Sequence, residues 1–359
     1  MPLKLGEPAP WFTAPTPSNP EFVFDTAAGR YVLMAFLPKD DPEAAAEAVR
    51  ALATHRTLFD DDRFAAFVVV RDAAMAATAR DMPGLRWFLD LDGAISRRFG
   101  TLGADGAEYP TWLLFDPDLR VMGHVRLANA KMVFDMLPRL APPGEHAGTP
   151  LHAPVLIAPR IFEPALCERL VALHQAHGGA FTGVMRDAGD RTQLVMDELK
   201  KRRDIAIEDP ELQALLRDRL ERRLFPLIQR GLGFTATRIE RYIVSCYDAA
   251  DEAVFHPHRD STTFATAHRK FAGSINLNDG FEGGDLRFAE YGRKTYRPPP
   301  GGAVVFSCAM LHEATKVTAG RRYAFLPFFY DEAGAAVLAA YQARVGATNP
   351  DLVNGEPAA

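Results

Sequence analysis

The chain has 359 residues, of which 48% are hydrophobic and 24% charged, as in ordinary soluble globular proteins. This length predicts two domains, and the net charge of −5 argues against an extended nucleic-acid interface. No segment approaches the roughly 18 uninterrupted apolar residues of a membrane span, and the first residues lack an apolar signal core. Three cysteines, an odd number without Cys-x-x-Cys spacing, are typical of free thiols in a reducing compartment. We therefore expect a cytoplasmic protein without a nucleic-acid or membrane partner.

Residues 1 to about 140 alternate the patterns of strands and helices. Between the first two apolar runs, Pro42 opens an Ala- and Glu-rich helix that we expect to reach about Leu58. The apolar runs predict strands at 31–36, 64–70, 87–90 and 111–116. This alternation predicts an α/β domain with a central sheet flanked by helices.

The same region resembles peroxiredoxins and related thioredoxin-fold proteins. The stretch 5–12 is similar to their opening, 36–38 to their active-site entrance and 90–93 to a late loop. Pro110, just before a predicted strand, matches the proline that is cis in that fold. The resemblance implies a thioredoxin-like α/β domain in which Pro110 is cis.

The peroxidase chemistry of that family is missing from the sequence. A peroxidatic cysteine must be an activated thiolate, but Ala44 and Ala45 stand at the matching place and no cysteine precedes Cys167. Tyr109 stands where the family has a later arginine. We therefore expect a catalytically inactive domain. Its role is left open among homodimerisation, support of the second domain and presentation of a substrate.

A stretch rich in Pro and Gly without periodicity, 141–150, predicts a linker. The expected organisation is a redoxin-like domain at 1–140, a linker at 141–153, a second domain at 154–335, and a C-terminal helix and tail at 336–359. This boundary leaves the whole of the motif described below in the second domain.

Two helices are predicted at the start of the second domain, from 164 to about 175 and from 211 to about 230. The polar segment 183–204 between them is expected to be either a mobile loop over the site or a plain surface loop. Its basic run, Lys200–Arg203, is typical of a solvated helix end or loop, with a place at the substrate entrance as the alternative.

The most informative motif is His256-Pro257-His258-Arg259-Asp260, followed much later by His312. Side chains two apart on an extended segment point the same way, so His258 and Asp260 can face one point that His312 closes. Two imidazoles and one carboxylate form the facial triad of non-heme Fe(II) oxygenases. The alternative is an exposed His–Asp pair without a metal. His256 shares the parity of His258, and we expect it at the rim.

Tyr247 precedes this motif. After it come the segment 273–278, a strand with a Gly-Gly pair at 281–288, the run 300–306 and the segment 320–323. Together, from 241 to 330, they resemble the prolyl-4-hydroxylase-like branch of the Fe(II)/2-oxoglutarate-dependent dioxygenases. The resemblance implies a second domain built as an α+β double-stranded β-helix, or jelly roll.

The resemblance also implies roles for particular residues. His258, Asp260 and His312 would be the catalytic iron ligands. Arg322 would bind the far carboxylate of 2-oxoglutarate, because Tyr323 supplies the aromatic residue that follows this basic residue in the family. Arg321 should face away, since adjacent residues on a strand face opposite sides.

Two further residues are candidates for the cosubstrate pocket. Tyr247 matches a tyrosine that lines this pocket in the family, and a buried core tyrosine is the alternative. Asn276 departs from the family pattern, because some relatives carry a hydroxyl-bearing aromatic residue there. Its contribution to 2-oxoglutarate binding is therefore less well supported than that of Arg322.

The function implied by the resemblance is hydroxylation of an unactivated C–H bond with Fe(II), 2-oxoglutarate and O2, and with ascorbate as a further candidate cofactor. Asp260 favours hydroxylation over halogenation, because related halogenases have a small residue at this place. The expected substrate is a prolyl or other residue of a peptide or protein. A free amino acid or small metabolite is the alternative, and a non-catalytic binding or scaffold protein is the alternative of another class.

Overall fold

The computed structural model describes residues 3–348, so the end of the predicted C-terminal tail lies outside the described residues. The chain divides into two compact units. The first runs to Ala153 and also contains Ala289–Lys294, and the second holds Pro154–Phe288 and continues from Thr295. Within the described part of the chain, no helix combines the length and the apolar character needed to span a lipid bilayer.

The strands of the first unit are β1 (Thr13–Ala14), β2 (Phe22–Val23), β3 (Tyr31–Phe36), β4 (Phe64–Val70), β5 (Leu85–Leu89), β6 (Thr111–Phe115) and β7 (Val121–Arg126). Five of them form a sheet with the order β5-β4-β3-β6-β7, in which β3, β4 and β5 are parallel and β6 pairs antiparallel with both β3 and β7. Its helices are α1 (Pro42–Thr54), α2 (Ala73–Thr78), α3 (Ala94–Arg98) and α4 (Ala130–Met136).

The two central strands explain why the sequence signal was clear here. Every residue of β3 and β4 is buried, as expected for parallel strands covered on both faces, so both read as continuous apolar runs. Helix α1 begins where predicted, because Asp41 accepts a hydrogen bond from the Ala44 amide and Pro42 occupies the first helical position. It ends at Thr54, and a separate 3-10 turn covers Arg56–Leu58, so the predicted end was several residues late.

The prediction that Pro110 is cis was wrong: throughout residues 3–348 the peptide bonds are trans. The trans isomer is intrinsically favoured unless the surrounding structure imposes the other one. Here the Tyr109 amide donates to the Thr101 carbonyl and the Pro110 carbonyl accepts from the Leu127 amide. The backbone amide of Tyr109 and the backbone carbonyl of Pro110 therefore both have hydrogen-bond partners in the trans form.

The second unit is dominated by strands. They are β8 (Leu156–Ala158), β9 (Ala180–Phe181), β10 (Val184–Ala188), β11 (Arg191–Val195), β12 (Lys200–Lys201), β13 (Arg203–Ala206), β14 (Arg238–Glu240), β15 (Ile243–Asp248), β16 (Val254–His258), β17 (Phe271–Asn276), β18 (Glu282–Gly283), β19 (Leu286–Arg287), β20 (Thr295–Tyr296), β21 (Ala303–Ser307), β22 (His312–Ala314), β23 (Val317–Ala319), β24 (Arg321–Phe325) and β25 (Phe328–Tyr330).

These strands form one large and one small sheet. The large sheet has the order β14-β25-β17-β24-β15-β13-β9, with β21 pairing β17 and β8 pairing β21. The small sheet has the order β12-β16-β22-β19-β20. The helices of this unit are α5 (Pro164–His177), α6 (Pro210–Arg223), α7 (Phe225–Leu232) and α8 (Glu332–Thr348).

The helix predicted from 211 to 230 is in fact two helices that meet at Leu224. Pro226 has no amide hydrogen to donate and its ring crowds the preceding turn, so one continuous helix cannot pass through it. The apolar stripe nevertheless continues across the break, because Leu216, Leu220, Leu224 and Ile228 are all buried in one core cluster.

The segment 183–204 is not the loop that its polar composition predicted. It forms an antiparallel hairpin of β10 and β11, followed by β12 and the start of β13. Strands β12 and β13 pair with β16 and β15, so the backbone of this segment is tied into both sheets. The prediction missed β12 and β13 because their pairing partners lie far along the chain and leave no local signal. It missed the β10–β11 hairpin because these strands contain no fully buried residue and so lack an alternating apolar pattern.

Asp90 allows a stability test in the first unit. This carboxylate is 2% exposed and accepts hydrogen bonds from the Ile95 amide (2.8 Å), the Ser96 amide (2.9 Å) and the Ser96 hydroxyl (2.6 Å). Asp90→Ala should lower the free energy of unfolding by about 2–3 kcal/mol, because buried donors lose their partner. Thermal and denaturant unfolding would measure this loss. Asp92→Ala, at an exposed aspartate two residues further along, is the control. Equal losses in both variants would contradict this reading.

Candidate metal centre and its pocket

Three potential metal ligands lie together in the second unit. His258 ends β16 and His312 begins β22, and the antiparallel register places them directly opposite each other. Asp260 follows β16, with its amide bonded to the Cys308 carbonyl. The Nε2 atoms of His258 and His312 lie 3.6 and 3.3 Å from the two Asp260 carboxylate oxygens. One ligand atom from each residue therefore lies within 4.8 Å of the others.

The orientation of both imidazoles suits a bound cation. The Nδ1 atom of His258 lies 2.7 Å from the His256 carbonyl oxygen, and that of His312 lies 3.0 Å from the Met310 carbonyl oxygen. Donation from Nδ1–H to a carbonyl leaves the Nε2 lone pair free, which is how metal-binding histidines are usually held. Both Nε2 atoms face the carboxylate of Asp260, so the donor set fits a divalent metal.

The electrostatics of the cluster favour a neutral His312 imidazole and an ionised Asp260 carboxylate. Burial and, to a smaller extent, the nearby His258 lower the pKa of His312 to about 4, so the His312 imidazole is neutral near pH 7. Burial alone would raise the pKa of Asp260, but the charges and hydrogen bonds of the two histidines outweigh it and the pKa is lowered. A neutral imidazole beside an ionised carboxylate is the ligand chemistry of a non-heme Fe(II) site.

The cluster opens into a pocket with charged and apolar walls. Three arginines line it: Arg202, Arg241 and Arg322. The apolar wall comes from both sheets and the segments between their strands, with Phe255, Ala272, Leu286, Phe306, Ala314, Leu326, Pro327 and Phe328. A mostly apolar cleft with a few convergent polar groups is the usual form of a small-molecule site.

Arg322, rather than Arg321, faces this pocket, as expected from the family resemblance at Tyr323, and the two neighbours face opposite sides of the strand. Arg322 is 2% exposed, whereas the Arg321 side chain is 59% exposed and pairs with Asp248 at 2.6 Å. The Arg322 guanidinium donates to the Asn276 side-chain oxygen (3.1 Å) and the Ser274 hydroxyl (2.7 Å). Both partners are neutral, so the positive charge of Arg322 is held in place without being neutralised.

The other two predicted pocket residues take different positions. Tyr247 is buried in the pocket wall, opposite Arg322 in the β15–β24 register, and its hydroxyl accepts a hydrogen bond from Arg202 at 3.0 Å. Asn276 is absent from the lining residues, and its amide nitrogen donates to the Pro298 carbonyl. Asn276 therefore contacts Arg322 and orients it from behind the pocket wall.

The basic run Lys200–Arg203 is not a solvated segment. Lys200 and Arg202 are 7% and 4% exposed, while the side chains of Lys201 and Arg203 are 36% and 37% exposed. Arg202 lines the pocket and pairs with the buried carboxylate of Asp204 at 2.9 Å. The alternation along an extended segment could have revealed this arrangement, because every second residue faces the same side.

Two other functional positions were predicted incompletely. His256 is exposed, and its backbone carbonyl rather than its ring contributes to the site by orienting His258. Arg241 lines the pocket, although the sequence showed it only as the first residue of the stretch 241–330 that carries the family resemblance. A lone arginine between two strands carries no sequence signal for this position.

A partly buried ion-pair cluster supports the backbone behind the candidate metal centre. The Glu240 carboxylate binds His268 at 2.7 Å and Arg269 at 2.6 and 2.8 Å, and Arg269 reaches the Asp260 carbonyl at 3.4 Å. Burial would raise the pKa of Glu240, but the hydrogen bonds from His268 and Arg269 lower it to about 2. The Glu240 carboxylate is therefore ionised throughout the neutral range.

Glu240→Gln should lower the free energy of unfolding near pH 7 by roughly 3 kcal/mol. Because the folded-state pKa is depressed, this contribution is present above the unfolded pKa of about 4.5 and is lost as the pH falls toward about 2. Denaturant unfolding from pH 7 to pH 2.5 should show the two proteins converging in stability. Glu332→Gln, at an exposed ion pair with Arg238, is the control and should cost less. A loss that stays constant with pH would contradict the assignment.

Neither a protein-family model nor a curated protein matches the chain. Among solved structures, a Pseudomonas putida prolyl-4-hydroxylase is 19% identical over 50% of this chain and 92% of its own, with a TM-score of 0.37. A Trichoplax adhaerens prolyl hydroxylase, solved with a hypoxia inducible factor peptide fragment, is 18% identical over 58% and 91%, with a TM-score of 0.41. Mycobacterium tuberculosis AhpC is 18% identical over 39% and 94%, with a TM-score of 0.33. At these values the likenesses do not establish a family, and the functional argument depends on the chemistry of the site.

Proposed function

We propose that this protein is an Fe(II)- and 2-oxoglutarate-dependent dioxygenase that hydroxylates an unactivated C–H bond. The observation that carries the proposal is the combination of a two-histidine, one-carboxylate cluster with the buried, un-neutralised Arg322 in a single pocket. Either feature alone occurs in other contexts. Together they match what Fe(II) and a dicarboxylate cosubstrate require.

His258, Asp260 and His312 would hold the iron. Bound Fe(II) and 2-oxoglutarate would supply the chemistry, activating O2 and oxidising the C–H bond with release of succinate and CO2. The backbone carbonyls of His256 and Met310 keep the imidazole rings turned toward the metal position. Asp260 contributes the negative charge that offsets part of the charge of the cation.

Arg322 would grip the far carboxylate of 2-oxoglutarate. A planar guanidinium can bind a carboxylate through two parallel hydrogen bonds, and its charge does not vary with pH in the physiological range. Ser274 and Asn276 hold the guanidinium without cancelling its charge. Tyr247, with the Arg322 guanidinium carbon 5.3 Å from its ring centroid, forms the adjacent wall of the cosubstrate pocket.

The apolar wall would exclude water from the reacting carbon. Phe255 stacks on His258 with ring centroids 3.5 Å apart, and Phe306 lies 4.5 Å from the ring of His312. Rings in these positions restrict the imidazoles and keep solvent from the metal ligands. A dry, rigid pocket strengthens the electrostatic interactions within it and limits side reactions.

The proposed substrate is a prolyl or other residue of a peptide or protein, by the resemblance of residues 241–330 to prolyl-4-hydroxylases. A free amino acid or small metabolite is the second candidate, because similar sites in the resembled family act on such molecules. The first unit we propose to be a redoxin-like scaffold without peroxidase chemistry, since its sheet order suits a thioredoxin-like fold and Ala44 and Ala45 occupy the catalytic place. Its proposed role is homodimerisation or support.

An anaerobic titration with Fe(II) and 2-oxoglutarate tests the proposal directly. Oxygenases of this class develop a weak visible charge-transfer band when 2-oxoglutarate joins the iron. A scaffold protein or a thiol peroxidase should develop none. Succinate release in air, screened with proline-containing peptides, free amino acids and cell extract, would then identify the substrate class.

Asp260→Ala should abolish both the charge-transfer band and the turnover of 2-oxoglutarate, because it removes the only anionic ligand of the cluster. Metal content after anaerobic loading and succinate release would be measured together. His256→Ala is the matched control, since its exposed ring is replaced while its backbone carbonyl remains to orient His258. Full activity of the Asp260 variant would refute the assigned ligand.

Arg322→Ala should raise the 2-oxoglutarate concentration needed for half-maximal turnover by roughly 30-fold or more, because a buried charged hydrogen bond is lost. Arg321→Ala is the matched control on the neighbouring, outward-facing residue and should leave this concentration nearly unchanged. Titrations of the charge-transfer band would separate cosubstrate binding from catalysis. The reverse pattern would mean that Arg321 is the cosubstrate ligand.

A further inference from the structure

Arg241 is a positive charge in the active pocket without a hydrogen-bonding partner in the described chain. It lies between β14 and β15 and lines the same pocket as His258, Asp260 and Arg322. Its Nε atom is buried and lacks any hydrogen-bond partner within residues 3–348. Burial lowers its pKa to about 10, with a further contribution from the charges of neighbouring arginines, so the residue still carries its charge at neutral pH.

The acidic groups near Arg241 are already committed elsewhere. Glu240 is bound by His268 and Arg269. The carboxylate of Asp260 faces the two histidines of the metal cluster. No carboxylate of the described chain forms an ion pair with Arg241, so its charge is available to something that enters the pocket.

The position of Arg241 is nevertheless fixed by the fold. Its backbone has a φ of +53°, a left-handed conformation that costs a non-glycine residue about 1–3 kcal/mol and is concentrated at functional sites. Its guanidinium carbon lies 4.1 Å from the ring centroid of Phe328. This stacking leaves the edge of the guanidinium, where the N–H donors are, free for a planar acceptor.

A charge count at the proposed centre indicates what that acceptor is. Fe(II) with Asp260, 2-oxoglutarate and Arg322 would together be electrically neutral. Arg202 is matched by Asp204. Arg241 would then remain as an unmatched cation in a largely apolar pocket, which is unfavourable unless a partner arrives with the opposite charge.

We propose that Arg241 binds a carboxylate of the molecule that is hydroxylated, so the substrate is an acid. This inference rests on the proposed dioxygenase function and narrows its substrate class. The carboxylate has two sources: the α-carboxylate of a free amino or organic acid, or the acidic side chain or C-terminus of a peptide beside the target residue. In both, Arg241 anchors the anion and thereby fixes which C–H bond faces the metal cluster.

The experiment titrates the anaerobic Fe(II)·2-oxoglutarate protein with matched carboxylate and amide probes. The probes are L-proline against L-prolinamide, and N-acetyl-Pro-Asp-amide against N-acetyl-Pro-Asn-amide. Perturbation of the charge-transfer band reports binding in the pocket without turnover. At least one carboxylate should bind about tenfold or more tightly than its amide. The pair that shows this preference identifies the source as a free acid or a peptide.

Variants then assign the preference to Arg241. Arg241→Met should remove the discrimination between carboxylate and amide while leaving the titration with 2-oxoglutarate itself unchanged. Arg241→Lys should retain part of the preference, because it keeps the charge but loses the planar donor pair. Arg230→Met, at an exposed arginine of α7, is the control and should behave like the unaltered protein.

Two results would overturn the inference. One is the absence of any preference for a carboxylate over its amide in the unaltered protein, a measurement that does not depend on whether the variants fold. The other is a preference that survives in a folded Arg241→Met protein, or a loss of 2-oxoglutarate binding in it, which would make Arg241 a cosubstrate ligand. Failure of the unaltered protein to develop the band at all would instead refute the proposed function.

Discussion

The site depends on the antiparallel pairing of β16 with β22. This register sets His258 opposite His312 and leaves Asp260, just past the end of β16, between their Nε2 atoms. Successive residues of a strand face opposite sides, so a slip of one residue would turn a ligand away from the cluster. The irregular register between Phe255 and His258 lies at this point, where a bulge can re-aim side chains.

Around the cluster, the pocket keeps positive charge where an ordinary protein interior would neutralise it. Arg202 has its carboxylate partner, but Arg322 is held by an amide and a hydroxyl, and Arg241 only by the face of an aromatic ring. Buried charges without counter-ions cost stability, which makes them uncommon unless a ligand completes them. In the proposed enzyme, 2-oxoglutarate would supply the negative charge that pairs with Arg322, and an acidic substrate the charge that pairs with Arg241.

The two units differ in how their sequence relates to possible chemistry. The first has a sheet whose central strands are wholly buried, and residues 1–153 contain no cysteine. The second has many short strands and brings several ionisable side chains together in the wall of one pocket. The side chains that the proposed chemistry needs therefore all lie in the second unit.

The sequence by itself determined the features with a local cause. The buried strands at 31–36 and 64–70 and the start of α1 at Pro42 follow from apolar periodicity and from the preference of proline for the first helical position. The choice of Arg322 over Arg321 came from the family resemblance at Tyr323. The grouping of His258, Asp260 and His312 was predicted because the order and spacing of these residues resemble a family motif whose members bind one metal. These predictions needed no knowledge of where distant strands pair.

Only the tertiary structure decided the rest. The pairing of β12 and β13, the burial of Lys200 and Arg202, and the place of Arg241 in the pocket depend on partners far away in the sequence. The trans bond at Pro110 depends in the same way on the contacts of its surroundings. A charged residue looks alike in the sequence whether it is solvated or buried, because the free energy that separates the two states comes from long-range contacts.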